Sequence, residues 1–193
     1  MASLSEQWRS VFFETVRQHR NALLLQEASR KGQLGKWTTA LTDVVVSACQ
    51  AMGWQASAKG HKLDLLPVPR HEYLSQDVMA FVESKPRWSF PVAVMELENS
   101  KKEDYIAYSL WKVLCVRADL RAVFCYRQSV KEVSTLVQFL QNDVIPAMGI
   151  SGRMALTGQT LVVIGSRDEA DTFPDGFFKW WELEKNTGRF EPI

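Results

Sequence analysis

Pro91-Val92-Ala93-Val94-Met95-Glu96-Leu97-Glu98-Asn99 is a short apolar run that closes on two carboxylates with one residue between them. Alternate side chains of an extended chain point the same way, so a strand here places Glu96 and Glu98 on one face. Carboxylates held side by side repel, and such a pair is costly unless a proton or a cation sits between them. A strand this apolar ending in such a pair predicts a divalent-metal site, with Mg²⁺ as the natural ion and Mn²⁺ as its substitute.

Working outward, Asp77 to Val82 reads as a second short strand rich in Val, Phe and Ala, joined to the first by a polar, proline-containing loop, Ser84 to Ser89. If the two pair antiparallel, Asp77 comes to lie beside Glu96 as a third carboxylate. Before them, Leu41, Val44, Val45 and Ala48 form one face of a helix from about Thr38 to Met52, stopped by Gly53. Trp54 to Ala58 and Lys62 to Leu66 flank the turn Lys59-Gly60-His61 and predict a strand pair or a bent strand, ended by Pro67 and Pro69. After them, Ile106, Leu110, Val113 and Leu114 make a helix of Lys101 to Val116, followed by an apolar strand, Ala122 to Tyr126. Strand, helix, strand is a crossover unit, so these two strands are expected to be parallel.

This order resembles the PD-(D/E)xK nuclease superfamily: a helix, three strands, a helix and a fourth strand, with Asp opening one strand and Glu-x-Glu closing the next. The resemblance covers about Thr38 to Tyr126. It implies an α/β fold with a restriction-endonuclease-like mixed central sheet flanked by helices, the αβββαβ core. Residues 1–193 then form a single domain, with 1–36 as an N-terminal helical extension and 127–193 as a C-terminal elaboration. It also implies that Asp77 and Glu96 hold Mg²⁺ or Mn²⁺ together with the Leu97 carbonyl. Glu98 stands where the family usually has Lys, and Gln76 where it has Pro. In the Lys position a carboxylate can orient or deprotonate the attacking water. Lys112, on the helix that frames the site in this family, is expected to stabilise the developing negative charge. An acidic residue from the preceding helix often joins the site, which nominates Asp43, with Glu14 as the alternative. The implied activity is metal-dependent hydrolysis of phosphodiester bonds by an endonuclease, with DNA as substrate and restriction or defence as the setting. A homodimer is expected because cutting two strands usually takes two sites. The rival expectation is a nuclease-like binding module that has lost cutting and contacts nucleic acid or a partner protein; the absent Lys favours it.

The flanking segments add helices at Leu4 to Gln26, read as a lid or arm, and at Val130 to Ile145. A strand follows at Thr160 to Gly165, and a last pair, Phe177 to Glu184 with Arg189 to Glu191, is joined by Asn186-Thr187-Gly188. The aromatic pairs Phe177-Phe178 and Trp180-Trp181 are expected to seal a core.

At 193 residues, 46% hydrophobic and 23% charged, the chain has the size and composition of one globular domain. A net charge of +1 argues against a broad basic surface and leaves room only for a local patch. Arg117, Arg121, Arg127 and Lys131, flanking the fourth strand, are the candidates for phosphate contacts. The start of the chain lacks the basic-then-apolar pattern of a secretory signal, and no apolar run approaches the ~20 residues of a membrane span. A cytoplasmic protein with no membrane partner is expected. Three cysteines without CxxC spacing predict buried thiols. The histidines have no metal-ligand spacing, and no glycine-rich loop opens a helix, so nucleotide-cofactor binding has no support.

Overall fold

The computed structural model describes residues 2–82 and 88–193. Seven strands, β1 (Trp54–Ala58), β2 (Val78–Val82), β3 (Ala93–Leu97), β4 (Leu120–Arg127), β5 (Gln159–Ser166), β6 (Phe178–Glu184) and β7 (Arg189–Pro192), form one sheet in chain order. The pairing is antiparallel from β1 through β3, parallel from β3 through β5, and antiparallel again to β7. The α/β class and the parallel β3–helix–β4 unit are as the sequence predicts.

Strand alternation divides the interior into two cores. Met95 and Leu97 of β3, Ala122, Phe124 and Tyr126 of β4 and Leu161 and Val163 of β5 face one side; Val94, Val123, Cys125, Val162 and Ile164 face the other. Central strands buried on both faces explain why the sequence reads as continuous apolar runs. The first core is covered by α1 (Leu4–Arg17), α2 (His19–Arg30) and α3 (Leu34–Ala51), the second by α4 (Glu103–Leu114) and α5 (Val130–Phe139). A short α6 (Gly149–Met154) precedes β5.

The segment read as a lid or arm is a structural layer. Trp8, Phe12 and Val16 are fully buried, and Phe12 sits 5.3 Å from Phe124, 5.1 Å from Phe178 and 5.2 Å from Trp180 between ring centroids. Ser3 and Glu6 cap α1 reciprocally, each side chain accepting the other residue's backbone N–H. The helix expected to run to Gln26 breaks at Gln18, where ψ is 128° and the side chain of Asn21 donates to the Thr15 carbonyl at 2.9 Å.

Other expectations need correction. Lys62 to Leu66 is not a strand; it makes an isolated bridge of Leu63 with Arg70, while Ala58 bridges His61 across the preceding turn. Two prolines break the ladder, and the Tyr73 hydroxyl pins the loop instead, donating to the carbonyls of Val68 (2.9 Å) and Leu63 (3.3 Å). The helix of Val130 to Ile145 ends at Phe139 and continues as a wider turn, Leu140–Val144, before Pro146. The predicted loop of Ser84 to Ser89 falls, over 84–87, outside the described residues. Cys49 and Cys125 are buried, their thiols pushed up by burial, but Cys115 is exposed because it caps the outer end of α4. Phe177, Phe178 and Trp180 do seal the first core, as predicted.

Gly158 joins the sheet to the β3–β4 crossover. Its φ is +70°, a Cβ there would lie 2.3 Å from the Asp119 carbonyl oxygen, and that same oxygen accepts the Gln159 N–H at 2.8 Å. Gly158→Ala therefore meets rigid backbone in a conformation that disfavours side chains, and is expected to destabilise by about 2 kcal/mol in a denaturant titration.

Among the described residues no helix is long and apolar enough to cross a membrane.

Candidate functional site

Antiparallel pairing of Val78 with Met95 puts Asp77 opposite Glu96, one residue further along. Alternation turns both toward the α4 face, since Met79 and Val94 lie in the second core. The backbone locks the two together: the Leu97 N–H donates to Asp77 Oδ2 at 2.7 Å, and the Asp77 N–H to Glu96 Oε1 at 3.4 Å.

Helix α4 supplies the positive charge. Lys112 Nζ lies 2.8 Å from Glu96 Oε1, in an ion pair whose side chains are 15% and 5% exposed, and it donates to the Ser75 carbonyl at 2.5 Å. One helical turn earlier Ser109 Oγ donates to Glu96 Oε2 at 3.5 Å. The loop that delivers Asp77 carries two non-glycine residues with left-handed backbone, Leu74 (φ 53°) and Ser75 (φ 54°). Such conformations cost of order 1 kcal/mol each and cluster where a fixed geometry is functional. Here they aim the Ser75 carbonyl at the Lys112 ammonium.

Burial dominates the electrostatics. It pushes the Glu96 carboxyl up to about 7, with Lys112 opposing the rise and the neighbouring Asp77 adding to it. Asp77 is raised as well, again chiefly by burial, against the Leu97 N–H and Lys112. Burial thus outweighs the ammonium at both carboxyls. Replacing Lys112 with methionine removes the chief opposing influence, so the Glu96 midpoint is expected to climb above about 7 in a carboxyl NMR titration.

Asp77, Glu96 and Lys112 are therefore brought together. Glu98 is not: it stands past the end of β3, and its Oε1 accepts the Ser100 N–H at 2.7 Å, closing its own loop. The side chain of Leu97 turns into the first core, leaving only its backbone at the site. Asp43 is exposed on α3, across the sheet, and pairs with His61 Nε2 at 2.9 Å. Glu14 is exposed on α1, where it accepts from Ser10. The sequence reading passed over Ser75 and Ser109; the spacing of Ser109 and Lys112, three apart on one helix, was the available signal.

Among the described residues no three His, Cys, Asp or Glu side chains gather in an arrangement that could hold a metal ion. The pair Asp77 and Glu96 meets the smaller requirement of Mg²⁺, which is commonly held by one or two carboxylates with water and substrate phosphate completing the shell.

Of the four cations in and around β4, Arg121 is a structural tie, 2% exposed, donating to the carbonyls of Val116 (3.0 Å) and Thr157 (2.7 Å). It belongs to the start of β4, whereas Arg127 and Lys131 lie at the other end.

Fold and site together define a three-layer α/β protein with a buried glutamate, a half-buried aspartate and a lysine at the ends of two antiparallel strands. No protein-family model, curated protein or solved structure matches the chain.

Proposed function

We propose that the chain is a metal-dependent nuclease of the PD-(D/E)xK type, acting on phosphodiester bonds of DNA. The observation that carries this reading is the ion pair of Lys112 with Glu96, directly beside Asp77, at the junction of β2 and β3. The run of α3, three antiparallel strands, α4 and the parallel β4 supports it, being the element order of that superfamily's restriction-endonuclease-like core. Lys112 takes the place of the strand lysine that Glu98 displaces. Asp77 and Glu96 would hold Mg²⁺ or Mn²⁺, with the Leu97 carbonyl as a further donor. When bound, the ion supplies Lewis-acid polarisation of a phosphoryl oxygen. Lys112 holds the Glu96 carboxylate in place and offers positive charge to the oxygens of the phosphodiester in the transition state. Glu98 would take a proton from the attacking water only after releasing the Ser100 N–H that its carboxylate now accepts. Cutting both strands of a duplex calls for two copies of the chain.

A second reading, a nuclease-like module that binds without cutting, draws on a specific observation: the Lys112 ammonium already neutralises Glu96, and Glu98 is engaged elsewhere. The test is cleavage of supercoiled plasmid and single-stranded DNA with Mg²⁺ or Mn²⁺. The native chain is expected to cut, and Asp77→Ala to lower the rate by about 10²-fold or more, the scale for removing a group that stabilises transition-state charge. Equal cutting by native and variant, or none by either, transfers the assignment to the binding module.

A further inference from the structure

The carboxyl ends of the parallel strands β3, β4 and β5 open onto a cleft of about 730 Å³, separate from the acidic cluster. Its cations, Lys101, Arg127, Lys131 and Arg167, outnumber its two carboxylates, Glu103 and Glu132. Glu132 is partly spent on the cap of α5, where its Oε2 accepts the Gln128 N–H at 3.0 Å. The Ser129 hydroxyl accepts the Glu132 N–H at 3.3 Å, which fixes the N-terminus of this ten-residue helix at the cleft wall. The first turn of a helix presents N–H groups without intrahelical partners and a partial positive charge, a combination suited to anions.

The independent observation is Arg127. It is 7% exposed, and its Nη2 is buried without a hydrogen-bond partner. Its Nη1 donates to the Tyr126 carbonyl at 3.0 Å and to the Ser100 carbonyl at 3.4 Å. The second of these bonds is long, so the guanidinium is held firmly by the Tyr126 carbonyl alone. A desolvated donor left unanswered is expensive, and a guanidinium is satisfied best by the paired oxygens of an oxyanion. Opposite it, Arg167 is held over the Tyr126 ring, 4.6 Å from the centroid, which fixes a second guanidinium at the mouth.

We infer that this cleft binds a phosphate group, with Arg127, Arg167 and the N-terminus of α5 as its principal contacts and Lys101 and Lys131 at its rim. The site does not depend on catalysis by Asp77 and Glu96. The phosphate belongs either to a polynucleotide backbone or to a free phosphate or monoester.

Calorimetric titration of the full chain at low salt separates these sources, using inorganic phosphate, adenosine monophosphate and a short oligonucleotide without terminal phosphates. Binding of the oligonucleotide alone assigns the cleft to a backbone phosphate; binding of either small probe assigns it to a free phosphate or monoester. In each case the surface double variant Lys101→Gln/Lys131→Gln is expected to weaken binding about tenfold, the scale of one charge-assisted hydrogen bond. Arg127→Met is expected to abolish it, and Glu14→Gln, on the exposed face of α1, to leave it unchanged; the titrations contain no divalent cation, so failure here is distinct from failure of the nuclease reading. Absence of binding by all three probes overturns the inference. So does native-like binding by a folded Arg127→Met, or, should that variant not fold, by the double variant.

Discussion

Glu96→Gln is expected to stabilise the protein by about 2 kcal/mol at pH 8 while leaving its stability at pH 4 unchanged. In the folded chain burial holds the Glu96 carboxyl at about 7, against an ordinary value of 4.5. Between those values the folded state keeps a proton that the unfolded state has released. Stability therefore falls as pH rises through the window from 4.5 to about 7 and is level above it. A difference of this size corresponds to roughly 3 kcal/mol. Glutamine removes the penalty but leaves the Lys112 ammonium without its carboxylate, which takes back part of the gain, although the Ser75 carbonyl still accepts from it. Urea titrations of both proteins at the two pH values measure the effect. A variant destabilised at pH 8 but not at pH 4 would show that Glu96 serves the fold through its ion pair. Stabilisation at pH 8 marks a carboxylate kept at the expense of stability, the signature of a group retained for function.

Phe12→Ala is expected to cost about 3–5 kcal/mol and to lower the melting temperature by about 10 °C. The ring is fully buried and touches aromatic residues of β4 and β6 as well as its own helix, so truncation leaves a cavity that three elements would have to close. Against a typical stability of about 5–15 kcal/mol, this is a large fraction for a residue in what reads as a peripheral helix. Removal of residues 1–36 altogether would expose the first core along β4 to β6, and that shortened chain is not expected to fold. Thermal melts followed by circular dichroism decide both points; a loss below ~1 kcal/mol for Phe12→Ala would mean that α1 is dispensable cover.

The strands β2, β3, β4 and β5 were legible because burial on both faces leaves compact Val-, Ile- and Phe-rich runs bounded by breakers. The final hairpin was legible from Asn186-Thr187-Gly188, and Gly188 adopts the positive φ such a turn requires. The apolar spacing that marked α1 as amphipathic could not say what its face would meet, which is why a layer of the core read as an arm. Lys62 to Leu66 misled for the converse reason: local alternation favours a strand, but the neighbouring prolines deny it a ladder, and the hydroxyl of Tyr73, 10 residues beyond Leu63, does the holding instead.

At the candidate site, strand period in the sequence predicted that Asp77 and Glu96 would meet if their strands paired antiparallel, and the register of β2 on β3 supplies that condition. It could not determine which further groups join them. Glu98 shares the pattern of Glu96 but lies past the last strand residue, where alternation no longer binds and the nearest free N–H, that of Ser100, captures its carboxylate. Asp43 sits on a helix packed against the other face of the sheet, a matter of layering that no local signal encodes. Lys112 reaches Glu96 because α4 crosses the sheet with Ile106, Leu110 and Val113 buried beneath it, which fixes where its remaining positions fall. The cleft beyond β4 is tertiary in the same sense: Lys101, Arg127 and Arg167 stand at or just past the carboxyl ends of three separate strands and converge only because β3, β4 and β5 are parallel and end together. Periodicity is a property of neighbouring residues and is written in the sequence, whereas convergence depends on how layers stack and strands align, which only the folded chain decides.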